Sequence, residues 1–258
     1  MNQVIEQLKN RRSVREFTEE EVKEEDLKLI FETAQRAPTS INAQQISLVY
    51  TKDKAKIKKI AELCGGQPQV AHADVFVTIV ADFNRTAFAA TNVGKEHVIE
   101  KSAEGILVGA VDAGIMLSSL QTAAEALGYG TTAIGAVRMN PEKFIEMLDL
   151  PPKTYPMVGT IIGVPSLKAK SAPLKPRIPL ESFAFKDKYD DSALKNGVIE
   201  YENSLKKFRE DHHMNYLTSY MEQVAGYYSS IYYTKNAHCL RLQGFEFQDT
   251  LDSKTNTK

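Results

Sequence analysis

Residues 105–127 constrain the fold more than any other part of the chain. They are apolar nearly all round a helix and rich in glycine and alanine. A helix of this kind is stable at the centre of a protein or at a subunit interface, where other groups cover all its faces. Gly105, Gly109 and Ala113 recur at four-residue spacing, so we expect another backbone to approach this helix closely.

Three polar residues interrupt the stretch, namely Asp112, Gln121 and Glu125. Polar groups at those depths are costly in lipid, so a buried helix explains the stretch better than a membrane span. The N-terminal residues MNQVIEQLKNRRSV lack the apolar core of a signal peptide. Two cysteines, Cys64 and Cys239, are too few for a disulfide framework. We therefore expect a cytoplasmic protein.

Four segments have the pattern of β-strands. The segment VFVTIVA, residues 75–81, is apolar without alternation, as expected of a central strand that is covered on both faces. The other three are Ile46–Thr51, residues 131–137 and residues 157–164. Helical patterns lie between them, so the fold class is α/β or α+β.

Local signals place the helices at the N-terminus. A short helix from Gln3 to Asn10 is predicted by the spacing of its apolar residues. Thr18 and Glu21 are spaced as a capping box for a second helix, which must stop before Pro38. Two further helices are predicted over residues 57–63 and 141–150.

The composition changes from about residue 187. We predict a core over residues 1–186 and a C-terminal helical extension over residues 187–258, with polar helices at 192–209 and 216–233. The extension carries most of the tyrosines. Tyr216, Tyr220, Tyr227 and Tyr228 are expected to pack against the core or another subunit rather than to stack on a ligand.

The overall charge excludes some partners. Thirty-two basic residues against 33 acidic residues give a formal charge of −1. Such a chain has no bulk field to attract nucleic acid or an anionic membrane, and we expect neither partner. Any anion site must therefore be local.

Several common chemistries lack their residues. GYGTTAIG, residues 128–135, ends a helix and starts a strand, whereas a dinucleotide loop lies between a strand and the following helix. The five histidines are scattered, so we expect no metal. No nucleophile-elbow pattern is present, and Cys64 has no base that the sequence identifies.

The segment RRSVREF, residues 11–17, places three guanidinium groups within five positions. A guanidinium is permanently charged and presents a rigid fork of donors, so it either faces water or meets an anion. Small polar side chains in loops and the segment LKPRIP, with Lys175 and Arg177, add further donors. From the residues alone, a solvated charged face and a phosphate site both remain open.

Five motifs in register resemble the nitroreductase family of FMN-dependent oxidoreductases. They are RRSVREF, RAPTSINAQQ, GGQPQVAHAD, ADFNR and KPRIP, and the similarity covers residues 1 to about 185. The chain is most similar to the larger-subunit branch of NAD(P)H-dependent flavin and nitroaromatic reductases. The resemblance implies an α+β fold with a mostly antiparallel central sheet flanked by helices, a C-terminal helical arm, and a homodimer with FMN at each end of its interface. The small-residue helix around Gly109 would then form the core of that interface.

The resemblance also implies a set of cofactor-binding residues. Arg11, Arg12 and Ser13, with Lys175 and Arg177, would bind the FMN phosphate, and Arg15 would lie beside N1 and O2 of the ring. Thr39, Ser40 and Asn42 would reach the flavin from the partner subunit, Gln67 and Gln69 would contact ring or ribityl, and Ile134, Gly135 and Ala136 would offer backbone to the ring edge. Ala136 stands where this branch usually has glycine.

The implied reaction is hydride transfer from NADPH or NADH to flavin N5 and on to a nitroaromatic, quinone, free flavin or similar small acceptor, in a two-electron ping-pong cycle. Arg15 would stabilise the negative charge of the reduced ring, and no side chain would act as acid or base. Two other functions remain open: a protein that stores or senses FMN with little turnover, and a protein that binds other phosphorylated metabolites.

The extension departs most from this branch, whose members tend to carry a basic segment there that helps to select NADPH. REDHHMNYLTSYM contains only Arg209, beside two acids. His212 and His213 are expected to be exposed histidines without a role. The choice between NADPH and NADH therefore stays open.

Overall fold

The computed structural model describes residues 2–249 of the 258-residue chain. Its centre is a four-stranded sheet with the strand order β1-β2-β4-β3, antiparallel at every pairing. The strands are β1 (Ile46–Thr51), β2 (Val75–Asp82), β3 (Gly130–Ile134) and β4 (Thr154–Gly163). The expected α+β class with a mostly antiparallel sheet flanked by helices is confirmed.

Eleven α-helices accompany the sheet within residues 2–249. They are α1 (Gln3–Lys9), α2 (Glu24–Ala34), α3 (Lys54–Leu63), α4 (Pro68–Ala71), α5 (Asn84–Asn92), α6 (Ala103–Ala126), α7 (Pro141–Met147), α8 (Leu167–Ser171), α9 (Asp191–Asp211), α10 (Tyr220–Tyr228) and α11 (Asn236–Leu242).

Strand β2 lies inside the sheet and carries apolar side chains on both faces. Val75, Val77 and Ile79 join a core cluster with α2 and α6 on one face of the sheet. Phe76 points the other way and joins a second cluster with α3, α4 and α7. The side-chain alternation of a strand therefore divides one apolar run between two cores, as its composition predicted.

Helix α6 lies against the sheet, and Gly105, Gly109 and Ala113 are buried. A Cβ on Gly109 would lie 3.1 Å from Ala81 Cβ and 3.3 Å from Met157 Cε, so the close approach predicted here is to the chain's own sheet. Gly109 is therefore not a contact for a second subunit. The opposite face carries Leu107 and Val111, which are 58% and 59% exposed. By length and composition alone, α6 is also the one helix in residues 2–249 that could cross a membrane.

Two local predictions were wrong, and several short helices were not predicted. Helix α2 begins after Lys23 without a side-chain cap, and the Thr18 hydroxyl instead accepts a hydrogen bond from the Glu20 amide. The strand predicted over residues 131–137 ends at Ile134, where the chain enters a 3₁₀ turn. Helices α4, α5, α8 and α11 have no counterpart among the predicted helices. A hydrogen bond from the Thr18 amide to Val164 O holds this segment extended, which explains why the capping box does not form.

Contacts group the chain into two compact units, 1–171 with 233–258, and 172–232. The first contains the sheet, and α11 returns to it: Cys239 and Phe245 are buried in the core beside β2 and α6. The predicted boundary after residue 186 stays a prediction. The two units defined by contacts differ from that predicted division because α11 belongs with the sheet.

The second unit contains α9 and α10. Gly197 of α9 packs on Ser182, and the rings of Tyr201 and Tyr220 meet edge-on with centroids 4.9 Å apart. Tyr216, Tyr227 and Tyr228 are 81%, 63% and 73% exposed. These three tyrosines are therefore not core side chains of this subunit.

Candidate functional site

The arginine segment, residues 11–15, is fastened to the outer edge of β3. The Val14 amide donates to Thr131 O at 2.9 Å, and Thr132 Oγ1 donates to Val14 O at 2.5 Å. Gly130 allows this approach, because a Cβ there would lie 2.6 Å from Val14 Cγ1. Val14 is buried, so the residues on either side of it are held at a fixed place on the sheet edge.

Two guanidinium groups of this segment donate hydrogen bonds to neutral oxygen atoms. Arg11 Nη2 donates to Gln121 Oε1 at 3.3 Å. Arg12 Nη1 donates to Lys170 O at 2.9 Å and its Nε to Asn10 O at 3.3 Å. Arg15 is exposed and makes no hydrogen bond or ion pair within residues 2–249. The charge of Arg15 is thus not neutralised by the described part of its own chain.

This donor set fits a phosphate group. Arg11 and Arg12 supply permanent positive charge, and the Ser13 hydroxyl beside them makes no hydrogen bond in the described chain. Carboxylates and phosphates are the anions that a guanidinium fork binds most strongly. The residues present at the β3 edge therefore fit the phosphate of FMN.

The loop with Thr39, Ser40 and Asn42 is strained and is tied to α6. Ile41 and Asn42 have φ values of 48° and 55°, which are uncommon for residues with side chains and costly for β-branched Ile41. The Ser40 amide donates to Asp112 Oδ2 at 3.1 Å, and Gln45 Nε2 donates to the same oxygen at 2.5 Å. Asp112 is 4% exposed, so a buried carboxylate of the core helix fixes this loop.

The two predicted glutamines lie together. Gln69 Nε2 donates to Gln67 Oε1 at 2.6 Å, and Gln67 Nε2 donates to Cys64 O at 3.1 Å. They bracket the start of α4, where Pro68 is the first helical residue. Burial raises the pKa of the nearby Cys64 thiol to about 12, so this thiol is not poised as a nucleophile.

Residues Ile134, Gly135 and Ala136 form the turn that ends β3. Ile134 is 1% and Ala136 4% exposed, and Gly135 between them is half-buried. Ala136 does not have a positive φ. The alanine that departs from the family pattern is therefore in a backbone conformation open to any residue.

The remaining predicted cations lie in the second unit. Arg177 Nη1 donates to the carbonyl oxygens of Lys175 and Pro176, at 3.2 and 3.1 Å. Arg209 donates to Thr218 O, and the His212 ring packs on Phe208 with centroids 4.5 Å apart. The roles predicted for Lys175 and Arg177 stay predictions.

Sequence reasoning missed the side chains behind the site. Asp112, Gln121 and Glu125 each have a partner in the loop, in the arginine segment or on β3. In the sequence, these three residues are polar positions in an otherwise apolar helix. That pattern indicated a helix that does not span a membrane, but it did not identify their partners. A polar residue at a buried helix position needs a hydrogen-bond partner, so it also indicates that the helix holds a neighbouring segment in place.

A large cavity lies elsewhere in the described chain. It has a volume of about 600 Å³, lies between α2 and the edge strand β1, and is lined by residues such as Phe31, Leu48 and Arg85. None of the predicted cofactor-binding residues line it. Within residues 2–249, no cluster of three His, Cys, Asp or Glu side chains could hold a metal ion.

Comparison with known proteins identifies relatives over nearly the whole chain. The model of the Nitroreductase family matches residues 8–164, and that of the Nitroreductase family C-terminal domain matches residues 175–248. The FMN reductase [NAD(P)H] of Bacillus subtilis is 39% identical over 251 residues, 96% of this chain and 100% of that protein.

Two further relatives extend the comparison. The oxygen-insensitive NADPH nitroreductase of Salmonella typhimurium is 35% identical over 189 residues, 73% of this chain and 75% of that protein. The solved structure of B. megaterium NfrA2 superimposes with a TM-score of 0.92 at 36% identity, covering 96% of this chain and 100% of that one.

Proposed function

Because this chain belongs to the nitroreductase family, in its larger-subunit branch, we propose that its arginine segment binds the phosphate of FMN. The protein is an NAD(P)H-dependent FMN oxidoreductase, with FMN as cofactor and NADPH or NADH as co-substrate. Arg11 carries the proposal: it lies beside a fixed strand edge, and its guanidinium donates to the neutral amide oxygen of Gln121. A cation in this position is available to an anionic ligand from the start.

The other predicted residues have proposed roles around the ring. Arg11, Arg12 and Ser13 would bind the phosphate, and Arg15 would lie close to N1 and O2. Gln67 and Gln69 hydrogen-bond ring or ribityl, and the turn Ile134, Gly135 and Ala136 offers backbone groups to the ring edge. Lys175 and Arg177 are proposed to add charge at the phosphate.

The chain's own contribution to the reaction is placement and charge. Bound FMN supplies N5 as the atom that accepts and donates hydride. Arg15 stabilises negative charge near N1, an effect that is strong when the donor is already in place. We propose that the nicotinamide and a nitroaromatic, quinone or free flavin use one slot in turn, in a ping-pong cycle without a side-chain acid or base.

We further propose a cytoplasmic homodimer in which Thr39, Ser40 and Asn42 reach the partner's flavin. Two features support it: the apolar stripe of α6 with Leu107 and Val111, and Ile41, which is 94% exposed on a strained loop. Exposed apolar side chains grouped on one helix face are typical of an interface.

Substitution of Val111 by Arg tests the dimer. A charge buried in an apolar interface is costly, so we expect V111R to be monomeric in light scattering and to lose FMN. Val93, an exposed valine off the stripe, provides the control V93R. A dimeric V111R, or an equal effect of V93R, would contradict the proposed interface.

The flavin spectrum of the purified protein tests the function. We expect a yellow protein whose absorption is bleached by NADPH or NADH and restored by a nitroaromatic or quinone. Steady consumption of the reduced nicotinamide should accompany the cycle. A yellow protein without turnover would support a storage role instead, and a colourless one that FMN cannot reconstitute would contradict FMN binding.

A further inference from the structure

Two polar side chains of α6 lie behind Arg11, one helical turn apart. Gln121 is 5% exposed; its Oε1 accepts from Arg11 Nη2 at 3.3 Å and its Nε2 donates to Thr160 Oγ1 at 3.1 Å. Glu125 Oε1 accepts from Thr131 Oγ1 at 2.6 Å. Gln121 therefore orients the guanidinium, while Glu125 brings a carboxyl group close to it.

Glu125 and the arginines face one small cavity. It has a volume of about 230 Å³, and Arg11, Arg12, Tyr129 and Lys170 are the other charged or titratable side chains that line it. Tyr129 in turn donates to Asp26, at 2.6 Å, on the side of α2. Glu125 is thus the one carboxyl group that lines this cavity in the described chain.

The environment of Glu125 opposes its ionisation. Burial raises the pKa of this carboxyl group, and the hydrogen bond from Thr131 and the charge of Arg11 offset the rise only in part. An anion bound at the arginines would offset the positive charge of Arg11, which favours ionisation of Glu125. An ionised Glu125 would then face like charge across a small cavity.

We propose that Glu125 binds a proton from water when a phosphate monoester dianion binds at Arg11 and Arg12, so that anion binding and proton uptake are linked. The inference rests on the proposed function for the FMN phosphate. In the free protein, ionised Glu125 is a partial counter-ion for Arg11. In the bound protein, protonated Glu125 removes the repulsion and still accepts the hydrogen bond from Thr131.

The linkage fixes the sign of the pH dependence. FMN affinity should fall as the pH rises through the pKa of Glu125, because the ionised carboxylate repels the phosphate. The second ionisation of the phosphate, near a pKa of about 6, acts in the opposite direction and is common to all variants. The difference between wild type and Glu125→Gln therefore isolates Glu125.

The test is calorimetric titration of apo-protein with FMN, in two buffers of different ionisation enthalpy, at several pH values. Wild type should take up a fraction of a proton that the Glu125→Gln variant does not. At alkaline pH that variant should bind FMN about tenfold more tightly than wild type. Glu146→Gln, at a carboxyl group of α7 that is exposed to solvent, should behave as wild type.

Thr131→Val provides a second, nearly isosteric variant. It removes the hydrogen bond to Glu125, so its proton uptake should move to higher pH. Equal proton uptake by wild type and Glu125→Gln, or an unchanged profile in Thr131→Val, would overturn the inference while FMN binding itself stands. A failure of every variant and of wild type to bind FMN would overturn the proposed function, and the inference with it.

Discussion

Two groups of charged side chains in this molecule are arranged in opposite ways. His97, Glu100 and Lys153 form a buried cluster: Glu100 is 2% exposed, Lys153 Nζ bonds its Oε1, and His97 Nδ1 lies 2.7 Å from its Oε2. In the arginine segment, Arg11 meets a neutral amide and Arg15 meets no partner in residues 2–249. The Glu100 carboxylate thus has a cation of its own chain beside it, whereas Arg15 has no anionic partner in the described residues.

The difference indicates which charges serve the fold and which serve a ligand. The buried cluster joins the segment before α6 to the start of β4, and the Lys153 amide also donates to Gln243 O at 2.7 Å. Its charges must be paired, because an unpaired charge there would be costly. The arginine segment is instead fixed through its backbone, so its guanidinium groups need no partner to hold their place.

The largest effect on stability is expected from Lys153→Met. This variant leaves Glu100 buried without its cation, so unfolding by urea should show a loss of about 3 kcal/mol. Lys168→Met breaks an exposed pair with Glu16, with a 3.2 Å separation, and should cost far less because solvent screens this pair. Equal losses in the two variants would contradict the contrast between buried and exposed charges.

The loss of stability in Lys153→Met should depend on pH in a definite direction. Burial acts to raise the pKa of Glu100, but the hydrogen bond from Lys153 and the charge of His97 outweigh it and hold the pKa below its usual value. The stability from this carboxylate is therefore present above its unfolded pKa and is lost as the pH falls through the folded one. The deficit of Lys153→Met should accordingly shrink in acid, where Glu100 is protonated.

Substitutions in the arginine segment should change function rather than stability. Arg15→Ala is expected to slow flavin reduction about 100-fold, because it removes charge beside the ring. Arg11→Ala should instead weaken FMN binding about 10- to 100-fold through the loss of a charge-assisted bond. Stopped-flow reduction and FMN titration separate the two effects, and Arg15→Lys, which keeps the charge, should be slowed less. The same pattern in both alanine variants would remove the division of roles.

The smallest effect is expected from a reagent that modifies thiols, because the Cys64 side chain is buried. Its pKa is raised by burial to about 12, so almost none of it is thiolate at neutral pH. Iodoacetamide should label Cys64 in urea but not in the folded protein, as read by mass spectrometry. Rapid labelling of the native protein, with loss of activity, would show that this thiol takes part after all.

The sequence was sufficient to predict the central strand and the main helices that cover it. It was not sufficient to predict the C-terminal helix that returns to the sheet. The apolar run of β2 predicted a central strand, and the patterns of α2, α3 and α6 predicted their helices. Helix α11 was missed because Cys239 is its one buried residue; Cys239, and Phe245 just beyond the helix, pack on a sheet that is distant in sequence. Only tertiary contacts reveal such a return of the chain.

The candidate site was predictable by resemblance and only partly by physics. Three guanidinium groups in five positions indicate an anion site or a solvated face, and nothing in the local pattern decides between them. The positioning side chains Asp112, Gln121 and Glu125 could not be assigned from sequence, since their partners lie 72, 110 and 6 positions away. Pairing across such separations depends on how α6 packs.

The affinity of the apo-protein for FMN relative to riboflavin tests the central claim most directly. The two ligands differ only in the phosphate group. If the arginine segment binds that phosphate, FMN should bind more than about 100-fold more tightly than riboflavin, because at least two charge-assisted bonds are lost. The ratio should also shrink in Arg11→Ala. Equal affinities for FMN and riboflavin would contradict the account.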